Sequence, residues 1–119
     1  MTLQNLIQSA SVERPSAAVL EQAAVTLNTS LNALLNAFAR EVAEGYLDGK
    51  YSWEFGDTVM NNLYSCAYVF SDLCLPDFAW NVFAAFDEGE YIHTGESPEL
   101  DGEPRTKALL LQLIEWPGA

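Results

Sequence analysis

The residues best suited to chemistry in this 119-residue chain are the carboxylates around its single histidine. Glu90 and His93, in the segment EYIH, have the Glu-x-x-His spacing that helical di-iron sites use. Such a site needs two of these motifs and two further carboxylates on facing helices, whereas the sequence has one motif. We therefore expect no metal site and interpret His93 as a solvated loop residue.

The adjacent carboxylates Asp87 and Glu88 are the other candidates for chemistry, because paired acids can transfer protons. The sequence has neither a Gly-x-Ser-x-Gly nucleophile motif nor a glycine-rich phosphate loop that would give these acids a reaction to serve. We therefore expect no catalytic residue and no cofactor. The sequence favours a binding protein over an enzyme.

Negative charge is concentrated where a predicted helix ends. Residues 87–103 contain seven carboxylates and no Lys or Arg. The first two fall in the last turn of the helix, where the backbone already carries partial negative charge, so the arrangement is unfavourable for folding. Either the acids only keep the protein in solution, or a cationic partner relieves their repulsion. The candidate partner-binding acids of this segment are Asp87, Glu88, Glu90, Glu96, Glu99, Asp101 and Glu103.

The charge of the whole chain points to the same class of partner. The formal net charge is −12, and residues 51–104 carry eleven acids and no base. Such a surface repels nucleic acids and anionic membranes, and it attracts basic proteins. No apolar run reaches the length of a membrane span, and the first residues lack the basic start and apolar block of a signal peptide. We expect a cytoplasmic protein with a basic protein as its partner, and neither nucleic acid nor membrane.

Apolar residues recur at three- and four-residue spacing along most of the chain. This pattern predicts an all-α bundle of five or six helices in a single domain, residues 1–119. Ser16 and Ser30 are predicted to cap the second and third helices, and Gly45 to end the third. Between residues 46 and 53, Asp48 and Gly49 indicate either a short hairpin or a turn between helices.

Four further boundaries are predicted in the second half of the chain. They are an N-cap at Asp57 for a fourth helix reaching about Leu73, a fifth helix from Pro76 with Gly89 beyond its end, a loop over residues 90–104, and a last helix capped by Thr106 and stopped by Pro117. Cys66 and Cys74, eight residues apart on the fourth helix, would be separated by about 12 Å of rise. We interpret them as buried thiols rather than a disulfide.

The predicted fourth helix has two distinct faces. At 100° per residue, its core side consists of Val59, Leu63, Cys66, Phe70, Leu73 and Cys74. The opposite side is a stripe about 80° wide that carries Asp57, Asn61, Tyr64, Tyr68 and Asp72. Tyrosines flanked by acids are typical of an interface with a basic partner, although a central helix packed on both sides would also place them there. Trp80, beside Asp87 on the fifth helix, is either a further anchor or a cover for a neighbouring helix.

The stretch from residue 53 to residue 91, WEFGDTVMNNLYSCAYVFSDLCLPDFAWNVFAAFDEGEY, resembles immunity proteins of bacterial toxin systems, such as contact-dependent growth inhibition and related polymorphic toxins. The resemblance lies in a Gly-Asp helix start and an acidic FDEGEY exit. It implies a small acidic domain that neutralises a cognate basic toxin domain, such as a nuclease, by a tight protein–protein contact.

Two other classes of function stay open at this point. An inhibitor that mimics nucleic acid would also need dense carboxylates, but spaced like phosphates over a long surface. A small helical adaptor domain would depend on exposed aromatic residues and not on the acids. Seven acids in one segment fit a plug for a basic site better than an imitation of a duplex.

Overall fold

The computed structural model describes residues 2–90 and 102–114. In these ranges the chain forms six α-helices: α1 (Leu3–Ala10), α2 (Ala17–Thr26), α3 (Leu31–Leu47), α4 (Trp53–Tyr64), α5 (Asp77–Glu88) and α6 (Glu103–Leu113). A short π-helix, Ser65–Val69, directly follows α4 and is called the π segment below. The described residues form no strand, so the predicted all-α bundle of five or six helices is confirmed.

At the first four helices, a side chain placed just before the helix accepts a hydrogen bond from a backbone N–H group of the first turn. Ser16 and Ser30 accept hydrogen bonds from Val19 N and Ala33 N, each at 3.1 Å, as predicted for N-caps. Ser52 does the same for α4, so the cap of this helix lies five residues before the predicted cap at Asp57. The prediction was wrong because the tryptophan and phenylalanine before Asp57 continue the helix toward the N-terminus.

Gly45 lies inside α3 instead of ending it. The ring of Tyr51 packs directly onto this glycine, at a point where any Cβ atom would clash with the ring. The chain turns two residues after the helix, at Gly49, which has a positive φ of 82°. Residues 46–53 therefore form a helix end, a turn and a helix start, and of the two predicted alternatives the turn is correct.

Helix α5 lies at the centre of the bundle and packs against α3, α4 and α6. The helical spacing predicts an inner face of Phe78, Ala79, Val82, Phe83 and Phe86. The last four are buried, and Phe78 is half-buried against the core. Gly56 of α4 faces the Phe86 ring, and a Cβ atom at this glycine would lie 2.6 Å from that ring. The close approach of α4 and α5 therefore depends on the absence of a side chain. No helix in residues 2–90 and 102–114 combines the length and the apolar character needed to cross a membrane.

Helix α6 begins at Glu103, three residues before the predicted cap at Thr106. Pro104 lies in its first turn, where a missing N–H costs no hydrogen bond. Thr106 is fully buried inside the helix, and its hydroxyl contacts α4 and α5 instead of capping α6. The predicted stop at Pro117 and residues 91–101 of the predicted loop lie outside the described residues.

The predicted fourth helix does not continue to Leu73. It changes to the π segment after Tyr64, and irregular structure follows from residue 70. Val59, Leu63 and Cys66 are buried as predicted, and Leu73 is half-buried against the core. Phe70 was also predicted to be in the core but is 61% exposed, because positions plotted at 100° per residue lose their register in a π-helix. Cys74 is exposed in the irregular stretch that follows the π segment.

Candidate protein-binding surface

Four aromatic rings from α4, the π segment and α5 form one contiguous cluster at the surface. Tyr64 stacks on Phe83 with ring centroids 4.4 Å apart and an interplanar angle of 8°. Trp80 contacts Tyr68 edge to face, at 5.7 Å and 75°. The cluster is closed by the contacts of Tyr64 with Tyr68 and Trp80, at 5.1 Å and 6.0 Å. We call Tyr64, Tyr68, Trp80 and Phe83 the aromatic cluster.

The aromatic cluster has an inner and an outer half. Phe83 is buried and Tyr64 is half-buried, so the inner half belongs to the packing between α4 and α5. Tyr68 and Trp80 each expose 41% of their surface to solvent. The two interpretations left open by the sequence are therefore divided between the residues: Tyr64 packs between helices, whereas Tyr68 and Trp80 are accessible to a partner.

The π segment widens the apolar part of this surface. Tyr68, Val69 and Phe70 are consecutive in sequence and all exposed, the last two by 62% and 61%. The turn that follows is held in place by Tyr68, whose hydroxyl oxygen accepts a 3.0 Å hydrogen bond from Leu75 N. Ser71 Oγ supports the same turn by donating to the carbonyl oxygen of Cys66 at 2.6 Å. Single π-helical turns are frequent at functional sites, and exposed apolar patches often mark sites of protein interaction.

Phe70 is covered on one side by the chain's own arginine. The guanidinium carbon of Arg14 lies 3.4 Å from the centroid of the Phe70 ring. Between them and the start of α2 lies a cavity of about 320 Å³ that also reaches Cys66. Burial raises the pKa of the Cys66 thiol, and the charge of Arg14 partly offsets this effect. Cys66 is thus a buried thiol, as predicted, but Cys74 is not.

Three carboxyl groups meet where α4 lies beside the end of α5. Asn61 Nδ2 donates a 3.0 Å hydrogen bond to Glu90 Oε2, which brings Glu90 next to α4. The pKa of Asp57 is raised to about 8, mainly by burial. Hydrogen bonding to Glu90 and the charges of Glu90 and Asp87 also contribute to this rise. Burial and the charges of Glu90 and Glu88 also raise the pKa of Asp87. At neutral pH Asp57 therefore keeps its proton, and the negative charge of the group is smaller than its composition implies.

The other predicted site residues are spread over different environments. Asp72 is exposed in the turn after the π segment. Glu103 Oε1 accepts a 2.9 Å hydrogen bond from the Tyr46 hydroxyl, whose pKa is raised by burial and by this carboxylate. Glu88 lines a groove between α5 and α6. Glu96, Glu99 and Asp101 lie outside the described residues. Within the described part of the chain, no three His, Cys, Asp or Glu side chains are placed to bind one metal ion.

The groove between α5 and α6 and the exposure of Val69 and Phe70 were not predicted from the sequence. The groove has a volume of about 480 Å³ and is lined by Asn81, Ala84, Ala85, Glu88, Arg105, Leu109, Gln112 and Leu113. Its floor of small and aliphatic residues looks in sequence like ordinary helix packing. For the π segment one signal was present, because the run AYVF places four apolar residues in a row, more than one helical face can bury.

Comparison of this chain with protein-family models, with curated protein sequences and with solved structures finds no match. We therefore infer function from the residues and their contacts. Two features of the described residues are available for this purpose: the outer half of the aromatic cluster, Tyr68 and Trp80, and the acids that surround it in sequence.

Proposed function

We propose that this protein is a cytoplasmic inhibitor of the immunity type, which binds a cognate basic toxin domain, such as a nuclease, and neutralises it without catalysis. The observation that supports the proposal most directly is the exposed pair Tyr68 and Trp80 on a chain with a net charge of −12. Large aromatic side chains provide the contact area of an interface, and the acids select a basic partner.

The aromatic cluster is suited to tight binding because it is already ordered. Tyr68 and Trp80 are held by contacts with Tyr64 and Phe83, and the hydroxyl of Tyr68 is fixed by Leu75 N. Their side chains therefore lose little conformational freedom when a partner covers them. Tyrosine and tryptophan are the residue types most often found as energetic hot spots, particularly when they become fully desolvated.

The acids have a different role in this proposal. Between residues 51 and 104 there are eleven carboxylates and no base, so a basic partner is attracted before contact. Asp57 and Glu103 contribute least, since the first is protonated at neutral pH and the second accepts a hydrogen bond from the Tyr46 hydroxyl. The exposed carboxylates of Asp72 and Asp77 border the aromatic residues in sequence and supply the charged rim.

The two alternative classes receive less support. In the described residues, Asp57, Asp87 and Glu90 gather into one group in which Asp57 is protonated at neutral pH, and a mimic of nucleic acid needs separated, fully charged carboxylates. A helical adaptor would use the exposed aromatic residues without the acids. An inhibitor should therefore bind a toxic partner in a salt-dependent way. An adaptor should bind a partner that is not toxic, with little dependence on salt.

The test is co-expression with the product of the gene directly upstream, since an immunity gene directly follows its toxin gene. We expect that product to stop growth alone and to be harmless beside the wild-type protein. Trp80→Ala should weaken protection, whereas Val25→Ala, which shortens a more exposed apolar side chain on α2, should not. An upstream product that is not toxic, or that stays toxic beside this protein, would refute the immunity role and leave the adaptor.

A further inference from the structure

The basic residues of this protein lie almost entirely on aromatic rings. The chain has five Lys and Arg residues, and four of them approach a ring of the same chain. The distances to the ring centroids are 3.4 Å for Arg14 on Phe70, 4.6 Å for Arg40 on Phe78, 5.1 Å for Lys50 on Tyr51 and 6.0 Å for Lys107 on Tyr46. Cations over ring faces are thus a repeated form of packing on this surface.

The exposed rings of the outer half of the aromatic cluster, Tyr68 and Trp80, differ from the exposed ring of Phe70 in this respect. Among the residues that the structure describes, no Lys or Arg of the chain lies over Tyr68 or Trp80. These rings nevertheless have the features that favour a cation. Both are two-fifths exposed, they meet at 75°, and tryptophan is the ring type that binds cations best. Asp77, which is exposed, lies three residues before Trp80, one turn away on α5.

We propose that the partner places an arginine side chain on the Trp80–Tyr68 ring pair, with its guanidinium group stacked on the rings and paired with Asp77. This inference rests on the proposed function, because it names the chemistry of the partner at the same surface. Arginine is favoured over lysine because its guanidinium group is planar and weakly hydrated. It can stack on a ring and donate two hydrogen bonds to a carboxylate at the same time.

A second copy of this chain does not supply that arginine. Arg14 and Arg40 already lie on Phe70 and Phe78, and Arg40 also pairs with Glu44 at 3.2 Å. Arg105 lies in the groove between α5 and α6 and has contacts of its own there. Two chains that each carry a net charge of −12 also repel each other. The occupant is therefore a different, basic protein.

The proposal can be tested on the full-length protein with hexa-arginine amide and hexa-lysine amide as probes. Two variants keep the net charge of the protein, so they leave its general attraction for cations unchanged. Trp80→Leu removes the exposed ring, whereas Phe70→Leu removes a still more exposed ring that Arg14 already covers on one side. We expect Trp80→Leu to weaken hexa-arginine binding by about two- to fivefold and Phe70→Leu to leave it unchanged. Hexa-lysine should bind the wild type more weakly than hexa-arginine.

A measurement without mutation guards against a folding defect in Trp80→Leu. In NMR titrations of the wild type, N-acetylarginine amide should shift the ring resonances of Trp80 and Tyr68, and uncharged N-acetylcitrulline amide should not. Equal shifts with both compounds, or equal weakening by the two leucine variants, would overturn the arginine site. Arginine binding that depends on Trp80, without any effect in the co-expression experiment, would instead keep the site and refute the immunity role.

Discussion

Trp53 and Thr106, which are 53 residues apart in sequence, are joined by a 2.9 Å hydrogen bond from the indole Nε1 to the threonine Oγ1. The same hydroxyl donates a 2.8 Å bond to the carbonyl oxygen of Ala85. A single buried oxygen thus connects α4, α5 and α6. Because α6 contacts the bundle mainly through α5, this connection fixes the last described helix to the rest of the fold.

We predict that Thr106→Val destabilises the protein by about 2–4 kcal/mol, because it leaves a buried N–H group and a buried C=O group without their partner. Urea unfolding followed by circular dichroism measures this change. Thr106→Ser is the matched control, since it keeps the hydroxyl and removes only a methyl group, which is worth about 1 kcal/mol. Equal stabilities of the valine and serine variants would show that the hydrogen bonds contribute nothing.

The close approach of α4 to α5 gives a second prediction. Gly56→Ala should destabilise the protein by about 1–3 kcal/mol, because the new Cβ atom would lie 2.6 Å from the ring of Phe86. Thr58→Ala, at an exposed position of the same helix, should change the free energy of unfolding by about 0.5 kcal/mol or less. If Gly56→Ala were as stable as Thr58→Ala, the two helices would have to separate at little cost.

A third prediction concerns how the free energy of unfolding depends on pH, and it follows from the carboxyl group of Asp57. Its folded-state pKa of about 8 lies above its ordinary value of 3.8, so the folded state binds its proton more strongly than the unfolded state does. The stability that comes from this proton is complete below pH 4 and is lost as the pH rises through 8. The raised pKa of Asp87 acts in the same direction.

The free energy of unfolding of the wild type should therefore fall between pH 5 and pH 9, and Asp57→Asn should reduce this fall. Asparagine keeps the shape of the protonated acid, so we also expect the variant to be more stable than the wild type at pH 9. Asp72→Asn, which removes one charge from an exposed turn, is the control. A wild-type stability that rises with pH over this range would contradict the raised pKa of Asp57.

The sequence predicted the features that depend on neighbouring residues. Ser16 and Ser30 cap their helices because an N-cap bond spans three residues, and the inner face of α5 follows from helical spacing alone. Two of the wrong predictions, for Gly45 and Thr106, concern residues that contact side chains or backbone groups outside their own helix. Gly45 makes room for Tyr51, and Thr106 serves Trp53 and Ala85, so neither marks a helix end.

In the candidate surface, too, the prediction from local spacing is correct and the prediction that depends on the type of helix is wrong. Tyr64 and Tyr68 were predicted to share a face because they are four residues apart, and their rings do lie 5.1 Å from each other. Phe70 was predicted to be in the core, since the plot assumed a continuous α-helix. The π segment changes the register after Tyr64 and places Phe70 at the surface. No simple periodicity in the sequence indicates where an α-helix becomes a π-helix.

The last prediction separates the two parts of the proposed interface by their kinetics. Tyr68→Ala should raise the rate of dissociation from the toxin domain roughly 30-fold, the equivalent of about 2 kcal/mol for a central aromatic anchor. Neutralising Glu96, Glu99 and Asp101 together should instead slow association by about three- to tenfold and change dissociation little, because long-range attraction acts before contact. Surface plasmon resonance at low and high salt measures both rates.

Tyr68→Phe is the control for the ring. It loses the hydroxyl that accepts from Leu75 N but keeps most of the contact area, so it should dissociate more slowly than Tyr68→Ala. Salt screens the attraction between the acids and a basic partner, with a Debye length of about 10 Å at 0.1 M salt. An association rate that is the same at low and high ionic strength would therefore contradict the role of the acids.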